Sequence, residues 1–314
     1  MPCYKPLIGL IKPGVNGSKG QVKIIGSRLA SNAEVAKYGA PTPLPCGQCV
    51  GCRLERSRQW AIRIMKELKL HDRSCFLTLT YRDESLHLTK NGLPTLVLED
   101  IQLFMKRLRF RFSPHPLRFF QCGEYGDEKE RPHHHLILFG EDFSRDRFPV
   151  EPSRAGFPQW ESPTLSGLWG SRTSGLGRAV ISEASFEAAA YVARYCVKKV
   201  TGKGSKFHYQ GRKPEFVTMS RRPGIGSGYF DEFKDNIYPN DEVVPDIGRP
   251  ASLPPRYFDR LLEKVDPKLY QEVKKKRVEG LDFWTDQDST DSRLSVRERV
   301  KQYLVKNTLK RGVE

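Results

Sequence analysis

The stretch RPHHHLILF, residues 131–139, decides the fold of this chain. Its last four residues are apolar and typical of a buried strand, and successive strand residues point to opposite faces of a sheet. His133 and His135 therefore share one face, and His134 points to the other. Because imidazole is the commonest nitrogen ligand in proteins, two imidazoles on one face predict a metal site.

The segment before this strand predicts an antiparallel hairpin. Residues 117–125 have a second strand pattern, and only Gly126–Pro132 separate the two strands. Glu124 then lies opposite His133, and its carboxylate completes a set of two histidines and one carboxylate. Such mixed ligands accept Mn²⁺ or Mg²⁺ for phosphate chemistry, and Mn²⁺ is the better match to imidazole. Histidines that are structural or face solvent are the alternative.

The remaining elements predict an α+β fold, an antiparallel sheet with helices packed on one face. Further strand patterns cover residues 76–81, 178–181 and 215–219, and helical patterns cover 54–70, 99–110 and 182–199. Residues 141–175 form an excursion rich in Gly, Pro and Ser. From about residue 229 the chain is predicted to be loop-like and then helical.

This pattern divides the chain into three expected domains. Residues 1–55 form a Cys-rich N-terminal segment, residues 56–230 the central domain, and residues 231–314 a basic, mostly helical C-terminal extension.

Composition narrows the class of partner. The chain has 53 Lys and Arg against 37 Asp and Glu, for a net charge of +16. The cations are spread along the chain rather than on one amphipathic helix, which favours nucleic acid over a membrane surface. No stretch approaches the ~18 apolar residues that span a bilayer, and the start does not resemble a signal peptide. Seven cysteines, an odd number, then favour a reducing cytoplasm.

Two tyrosines stand out on the last predicted helix of the central domain. Tyr191 and Tyr195 are four residues apart and therefore neighbours on one helical face. Lys198 and Lys199 continue that face, and Arg194 flanks it. A phenol has a pKa of about 10, and nearby positive charge favours the phenolate that attacks phosphorus. Two aromatic rings packed in a core are the alternative interpretation.

Cysteines close to the N-terminus indicate a second metal site. Cys46, Cys49 and Cys52 have the spacing of zinc ligands, and a fourth ligand is needed. Cys3 is the candidate, because the other three cysteines lie inside predicted strands or a helix. A structural Zn²⁺ would hold the N-terminus to the core. An iron–sulfur cluster and unliganded thiols are the alternatives.

Residues 194–222 are dense in Lys and Arg, with aromatic residues interleaved, a composition that suits single-stranded DNA. The candidate DNA-contact residues are Tyr81, Arg194, Lys198, Lys199, Arg221 and Arg222.

In this order, the motifs resemble those of HUH endonucleases of the rolling-circle type. The resemblance rests on the strand 76–81, the PHHH of 132–135 and the tyrosine pair of 191–195. Within that family the chain is most similar to replication initiation proteins of the gokushovirus branch of microviruses, small single-stranded DNA phages. Further landmarks include PCGQCVGCR at 45–53 and SRRPGIG at 220–226.

The resemblance implies an RRM- or palm-like HUH nuclease sheet, with His133, His135 and Glu124 as metal ligands. Tyr191 and Tyr195 would alternate as nucleophiles. One would cut the origin and keep its 5′-phosphate while the free 3′-hydroxyl primes synthesis, and the other would cut the regenerated origin so that the released strand closes into a circle. A departure is His134, where such proteins usually have an apolar or aromatic residue.

The implied partners are a single-stranded DNA origin and a host helicase and polymerase, in the cytoplasm of a bacterial host. A helicase is expected because the sequence has no GxxxxGK[ST] loop. The alternatives are a plasmid rolling-circle initiator, a mobilisation relaxase, and a non-catalytic zinc-containing DNA-binding protein whose histidines and tyrosines are structural.

Overall fold

The computed structural model describes most of the chain. The described residues are 3–12, 20–25, 31–39, 41–126, 129–170, 175–198, 200, 204–238, 240–279 and 290–308. The side chains of residues 195–198, 278 and 308 lie outside this description.

The chain separates into two compact units. One contains Met1–Glu55 and Val278–Arg311, and the other contains Arg56–Arg277. The three-part division into 1–55, 56–230 and 231–314 stays a prediction.

The first unit contains a small sheet that the sequence patterns do not reveal. In the described residues, strands β1 (Leu7–Lys12), β2 (Gln21–Ile24) and β3 (Thr42–Leu44) form an antiparallel sheet in the order β2-β1-β3. Every residue of β2 is exposed, and its alternation of polar and apolar residues covers only four positions, which is too short to mark a strand. Helix α1 (Asn32–Tyr38) follows β2, and Ser31 caps it.

The second unit is built on one larger sheet. Its strands, as far as the chain is described, are β4 (Ser74–Thr80), β5 (Arg118–Tyr125), β6 (Pro132–Phe139), β7 (Phe148–Val150), β8 (Gln159–Glu161), β9 (Ala179–Glu183) and β10 (Phe216–Met219). They lie in the order β10-β5-β6-β4-β9-β8-β7, and every pairing is antiparallel.

Nine further α-helices follow α1 in the described residues. They are α2 (Val50–Leu68), α3 (Leu98–Arg111), α4 (Pro163–Leu168), α5 (Phe186–Lys198), α6 (Ser205–Tyr209), α7 (Ser227–Ile237), α8 (Arg256–Val265), α9 (Pro267–Glu279) and α10 (Asp291–Thr308).

Strand alternation gives the sheet two apolar faces. On the first, here called the α3 face, Leu77, Leu136 and Leu138 pack with Phe104 of α3 and Leu165 of α4. All five side chains are fully buried. The even-numbered residues of β6, including His134, belong to this face.

The opposite face, here called the α5 face, receives the odd-numbered residues of β6. Ile137 and Phe139 pack there with Ile64 of α2 and with Ala188 and Val192 of α5. Small residues on α5 allow the helix to approach the sheet closely, which brings the rest of that helix near His133 and His135.

The predicted fold class, α+β with an antiparallel sheet, is confirmed. Helices cover both faces of this sheet rather than the one face expected from the sequence. The expected excursion at 141–175 contains β7, β8 and α4. The expected loop from residue 229 is wrong, because α7 occupies Ser227–Ile237. Its Phe230 is fully buried against Phe258 of α8, and this long-range contact is not visible in a local pattern.

Among the described residues, no helix is long and apolar enough to cross a bilayer.

Two phenylalanines of α3 provide a matched test of the packing. Phe104 is 0% exposed and Phe110 is 87% exposed. We expect Phe104→Ala to lower the free energy of unfolding by about 3–5 kcal/mol through lost burial and a cavity. Phe110→Ala should change it by less than about 0.5 kcal/mol. Urea denaturation followed by tryptophan fluorescence measures both, and equal effects would contradict this packing.

Candidate active site

The β5–β6 hairpin brings three candidate ligands to the α5 face. Glu124 pairs directly with His133, and Cys122 pairs with His135. Glu124, His133 and His135 therefore point to the same side of the sheet. The hairpin places the carboxylate opposite His133, where the residue pattern predicts it.

The ligand atoms of these three residues converge. The Glu124 Oε1 atom lies 2.7 Å from His133 Nε2 and 2.9 Å from His135 Nε2. The two imidazole centroids are 4.8 Å apart and their planes are nearly perpendicular. All three candidate ligand atoms lie within 4.8 Å of one another. Two imidazole nitrogens and a carboxylate oxygen at this spacing fit a divalent cation such as Mn²⁺ or Mg²⁺.

The far nitrogen of each imidazole has a partner that orients the ring. His133 Nδ1 lies 3.1 Å from the carbonyl oxygen of Arg131, and His135 Nδ1 lies 3.2 Å from Thr78 Oγ1. A carbonyl accepts only, so His133 carries its Nδ1 proton there and turns Nε2 toward Glu124. Partners of this kind fix the tautomer of metal-binding histidines. The sequence patterns miss both orienting groups.

Glu124 keeps its charge although it is buried. Its burial raises the carboxyl pKa, but hydrogen bonds and positive charge from His133 and His135 outweigh burial and lower that pKa to about 2. The side chain is therefore a carboxylate at neutral pH, as cation binding requires.

Helix α5 places Tyr191 against this group. Ser185 caps the start of the helix, with its Oγ accepting from the Ala188 amide at 3.2 Å. The Tyr191 hydroxyl lies 3.3 Å from Glu124 Oε1 and 3.4 Å from His135 Nε2. Its ring meets the His135 ring edge-on, with centroids 5.0 Å apart. The predicted proximity of phenol and imidazoles is therefore present for Tyr191.

The rest of the predicted α5 group is described only in part. The Arg194 guanidinium lies 5.5 Å from the Tyr191 ring centroid. Tyr195 and Lys198 belong to the helix, but their side chains lie outside the described part of the chain, as does Lys199 entirely. The roles predicted for these three residues stay predictions.

Tyr81 and His134 lie on the α3 face, away from the ligand group. The Tyr81 hydroxyl donates to Asp100 Oδ2 at 2.8 Å and contacts His134 Nε2 at 3.0 Å. Tyr81 is only 5% exposed, so its ring has no face for a DNA base. Its position therefore corrects the prediction that Tyr81 contacts DNA.

His134 is held as a neutral core residue. Burial, together with positive charge from His133 and His135, lowers its pKa to about 3. Gln121 Nε2 lies 2.9 Å from its Nδ1. Gly123 lies across the hairpin, where an added Cβ would approach His134 Nδ1 to 3.1 Å. The expectation that His134 faces away from the ligand group is confirmed.

A cavity of about 720 Å³ is lined by His133, His135 and Tyr191. Ser153, Arg154, Phe157 and Pro158, between β7 and β8, also line this cavity. The sequence patterns do not connect this segment with the site, because only tertiary packing brings it there.

Arg221 and Arg222 lie elsewhere on the second unit. Both are exposed, and they line a separate cavity of about 560 Å³ together with Arg109 and Arg118. Their predicted contact with DNA stays a prediction.

In the first unit, the four predicted zinc ligands come together. The sulfurs of Cys3, Cys46, Cys49 and Cys52 lie within 4.8 Å of one another. Backbone amides donate to them, from Cys46 to Cys3 Sγ at 3.2 Å and from Tyr4 to Cys49 Sγ at 3.3 Å. Four clustered sulfurs with amide donors are the chemistry of a structural zinc site.

The thiols of this cluster affect one another. Burial raises the pKa of Cys49, but amide hydrogen bonds from Cys52 and Tyr4 outweigh burial and lower that pKa to about 7. Burial and nearby Cys3 raise the pKa of Cys52. Charge on one sulfur thus disfavours charge on the next, and a divalent cation would remove that conflict.

Comparison with known proteins identifies the family. A family model described as replication-associated protein ORF2/G2P matches residues 74–200, which include β4 to β6, β9 and α5. The chain is 35% identical over 276 residues to the replication-associated protein ORF2 of Spiroplasma virus 4, covering 84% of this chain and 81% of that protein. The chain belongs to the phage replication-associated proteins.

Two further relatives of this replication-associated protein come from other phages. It is 29% identical over 304 residues to the replication-associated protein VP4 of Bdellovibrio phage phiMH2K, covering 93% of this chain and 88% of that protein. It is 32% identical over 231 residues to the replication-associated protein ORF4 of Chlamydia phage 1, covering 71% of this chain and 54% of that protein. No solved structure matches the chain. The family predicted from the motifs is confirmed.

The Glu124–His133–His135 group of the replication-associated protein predicts a Mn²⁺ site. We expect His133→Ala to weaken Mn²⁺ binding at least tenfold, because it removes one of three protein ligands. His115, an exposed histidine, supplies the control His115→Ala, which should bind Mn²⁺ as the native protein does. Isothermal titration measures both affinities. Equal Mn²⁺ affinity in the His133 variant and the control would contradict the site.

The cysteine cluster predicts bound zinc. We expect the purified replication-associated protein to contain about one Zn²⁺ per chain and Cys46→Ser to contain far less. Cys75 is a buried free cysteine outside the cluster, so Cys75→Ala should keep the metal. Elemental analysis by mass spectrometry measures the ratio. Native protein that is purified from cells grown in zinc-supplemented medium and contains no zinc would contradict the predicted zinc site.

Proposed function

We propose that this replication-associated protein starts rolling-circle replication of a single-stranded DNA phage genome. In this proposal it is an HUH-type, metal-dependent endonuclease and strand transferase. Tyr191 attacks a phosphodiester at the origin and keeps the 5′-phosphate. The supporting facts are the family and the geometry around Tyr191.

One observation carries the proposal. The Tyr191 hydroxyl is 3.3 Å from Glu124 Oε1 and 3.4 Å from His135 Nε2. A nucleophile must lie beside the residues that bind the reacting phosphate. The Tyr191 phenol and the two candidate histidine ligands line the same cavity. A tyrosine packed only for stability has no need of this position.

Glu124, His133 and His135 would hold the divalent cation, Mn²⁺ or Mg²⁺. When bound, the cation supplies Lewis-acid polarisation of the scissile phosphate. The Arg131 carbonyl oxygen keeps His133 in the tautomer that binds a cation, and the Thr78 hydroxyl orients the His135 ring.

The reaction is a transesterification. The Tyr191 oxygen forms a bond to phosphorus and loses its proton, while the bond from phosphorus to the 3′-oxygen breaks. That oxygen takes up a proton and leaves as the 3′-hydroxyl that primes synthesis. One phosphodiester replaces another, so the bond energy is kept for rejoining.

Two features favour Tyr191 in this role. The Arg194 guanidinium, 5.5 Å from its ring centroid, places positive charge beside the developing phenolate. Tyr191 is also only 8% exposed, which limits the access of bulk water to a phosphotyrosine bond. Tyr195, one turn later in α5, is the proposed nucleophile for the second transfer.

The proposed partners follow from the chemistry. Single-stranded DNA is the substrate, and Arg194, Lys198, Lys199, Arg221 and Arg222 are proposed contacts to its phosphates. A host helicase and polymerase would unwind and copy the genome in the bacterial cytoplasm.

The test is a covalent adduct. The protein is incubated with Mn²⁺ and labelled single-stranded phage-genome fragments, and products are separated on a denaturing gel. We expect an adduct that EDTA abolishes. Tyr191→Phe should lower its yield at least tenfold, and the Tyr191→Phe/Tyr195→Phe double variant should form none, because neither proposed nucleophile remains.

A third tyrosine provides the control for this experiment. Tyr303 is 69% exposed on α10, so Tyr303→Phe should form the adduct as the native protein does. An adduct that persists in the double variant would overturn the proposed nucleophiles. A mobility shift that vanishes on denaturation, with no adduct for native protein, would instead indicate a DNA-binding protein without catalysis.

A further inference from the structure

The cavity at the candidate site extends well beyond the reacting atoms. Its volume of about 720 Å³ lies within the ~300–1,000 Å³ of small-ligand pockets. That space fits one or two nucleotides around the scissile bond and is too small for a duplex. Part of its wall is the loop 151–158 that joins β7 to β8.

This loop is held in a defined shape. The Ser153 amide donates to the Phe157 carbonyl at 2.9 Å, and the Phe157 amide donates to Ser153 Oγ at 3.1 Å. Gly156 adopts a φ of +81°, a conformation that glycine adopts without strain. The position of the Phe157 backbone is therefore fixed before any substrate binds.

Phe157 lines the cavity without being a core residue. Its side chain is 43% exposed. In the described ranges, it belongs to none of the buried hydrophobic clusters and to no pair of stacked rings. Pro158 beside it also lines the cavity and is exposed. Phe157 and Pro158 together present an apolar surface to the cavity that Tyr191 also lines.

The charges of the same cavity suit a nucleic-acid strand. Lys129, Arg131 and Arg154 line it. Two carboxylates also line it, Glu183 and Glu187, and Glu187 is paired with Arg249 at 3.0 Å. Cations for phosphates beside an aromatic ring for a base are the two parts of a single-strand site.

We propose that Phe157 is the stacking platform for an unpaired base next to the scissile phosphate. In this subsite Arg154 and Lys129 contact the adjoining phosphates, and the base stacks on the ring of Phe157. Because a base inside a duplex has no free face, the platform selects single-stranded DNA. The inference rests on the proposed function in assigning that base to the cleavage position.

The test compares single-stranded with duplex binding. The probes are a fluorescein-labelled 12-nucleotide strand of mixed sequence and the blunt duplex of the same sequence, both in EDTA. Stacking on one aromatic residue contributes roughly 5- to 150-fold in affinity. We therefore expect Phe157→Ala to weaken single-strand binding about tenfold and duplex binding less than twofold. Fluorescence anisotropy gives both dissociation constants.

Two variants make the result specific. Phe157→Trp keeps a flat ring and should retain native single-strand affinity. Phe148 is an equally exposed phenylalanine on β7, at 48%, and does not line the cavity. Phe148→Ala should bind both probes as the native protein does. The platform is overturned if Phe157→Ala keeps native single-strand affinity, or if Phe148→Ala loses as much.

The adduct experiment separates this inference from the proposed function. If the native protein forms the adduct and Phe157→Ala keeps native single-strand affinity, the strand-transfer function stands and the Phe157 platform is ruled out. If Phe157→Ala selectively loses single-strand binding and the native protein forms no adduct with any divalent cation, the platform stands and strand transfer is ruled out.

Discussion

The register of the β5–β6 hairpin is the constraint on which the candidate site depends. It pairs Glu124 with His133, and strand geometry then sends His135 to the same side. A shift of one residue would turn both histidines to the α3 face and bring His134 out in their place. The register is fixed by polar groups that find partners on one face only: His134 bonds to Tyr81 and Gln121 on the α3 face, and Glu124 contacts both other histidines on the α5 face.

Hydrogen-bond and charge partners explain how polar groups are tolerated in a sheet that is buried on both faces. His134 is fully buried yet satisfied by Tyr81 and Gln121. Glu124 is nearly as buried and stays ionised because two imidazoles lie beside its carboxylate. Low solvent access strengthens such interactions and raises the cost of losing any one partner. The strand therefore joins the core and the site in one network, and their stabilities are coupled.

Local patterns were sufficient for the central elements of the fold. Strand patterns marked β4, β5 and β6, and helical patterns marked α2 and α5, since these segments are long and strongly apolar. The short strands β1, β2, β3, β7 and β8 were not predicted. Strand β2 is exposed along its whole length, and α7 is stabilised by contact with α8 rather than by its own pattern. Packing on both sheet faces was equally invisible, because it is decided by contacts between distant segments.

The sequence by itself determined the ligand types and their spacing: His133 and His135 two apart on a strand, Glu124 across a short turn, and three cysteines at zinc-like intervals with Cys3 as the fourth. Periodicity and hairpin length suffice for these, since both are local. Only the tertiary structure decided that Tyr191 lies against His135, that Tyr81 is a core residue, and that Phe157 faces the cavity. Each depends on how helices and loops pack across the sheet. Such contacts join residues that are far apart in sequence, so no short stretch of sequence reveals them.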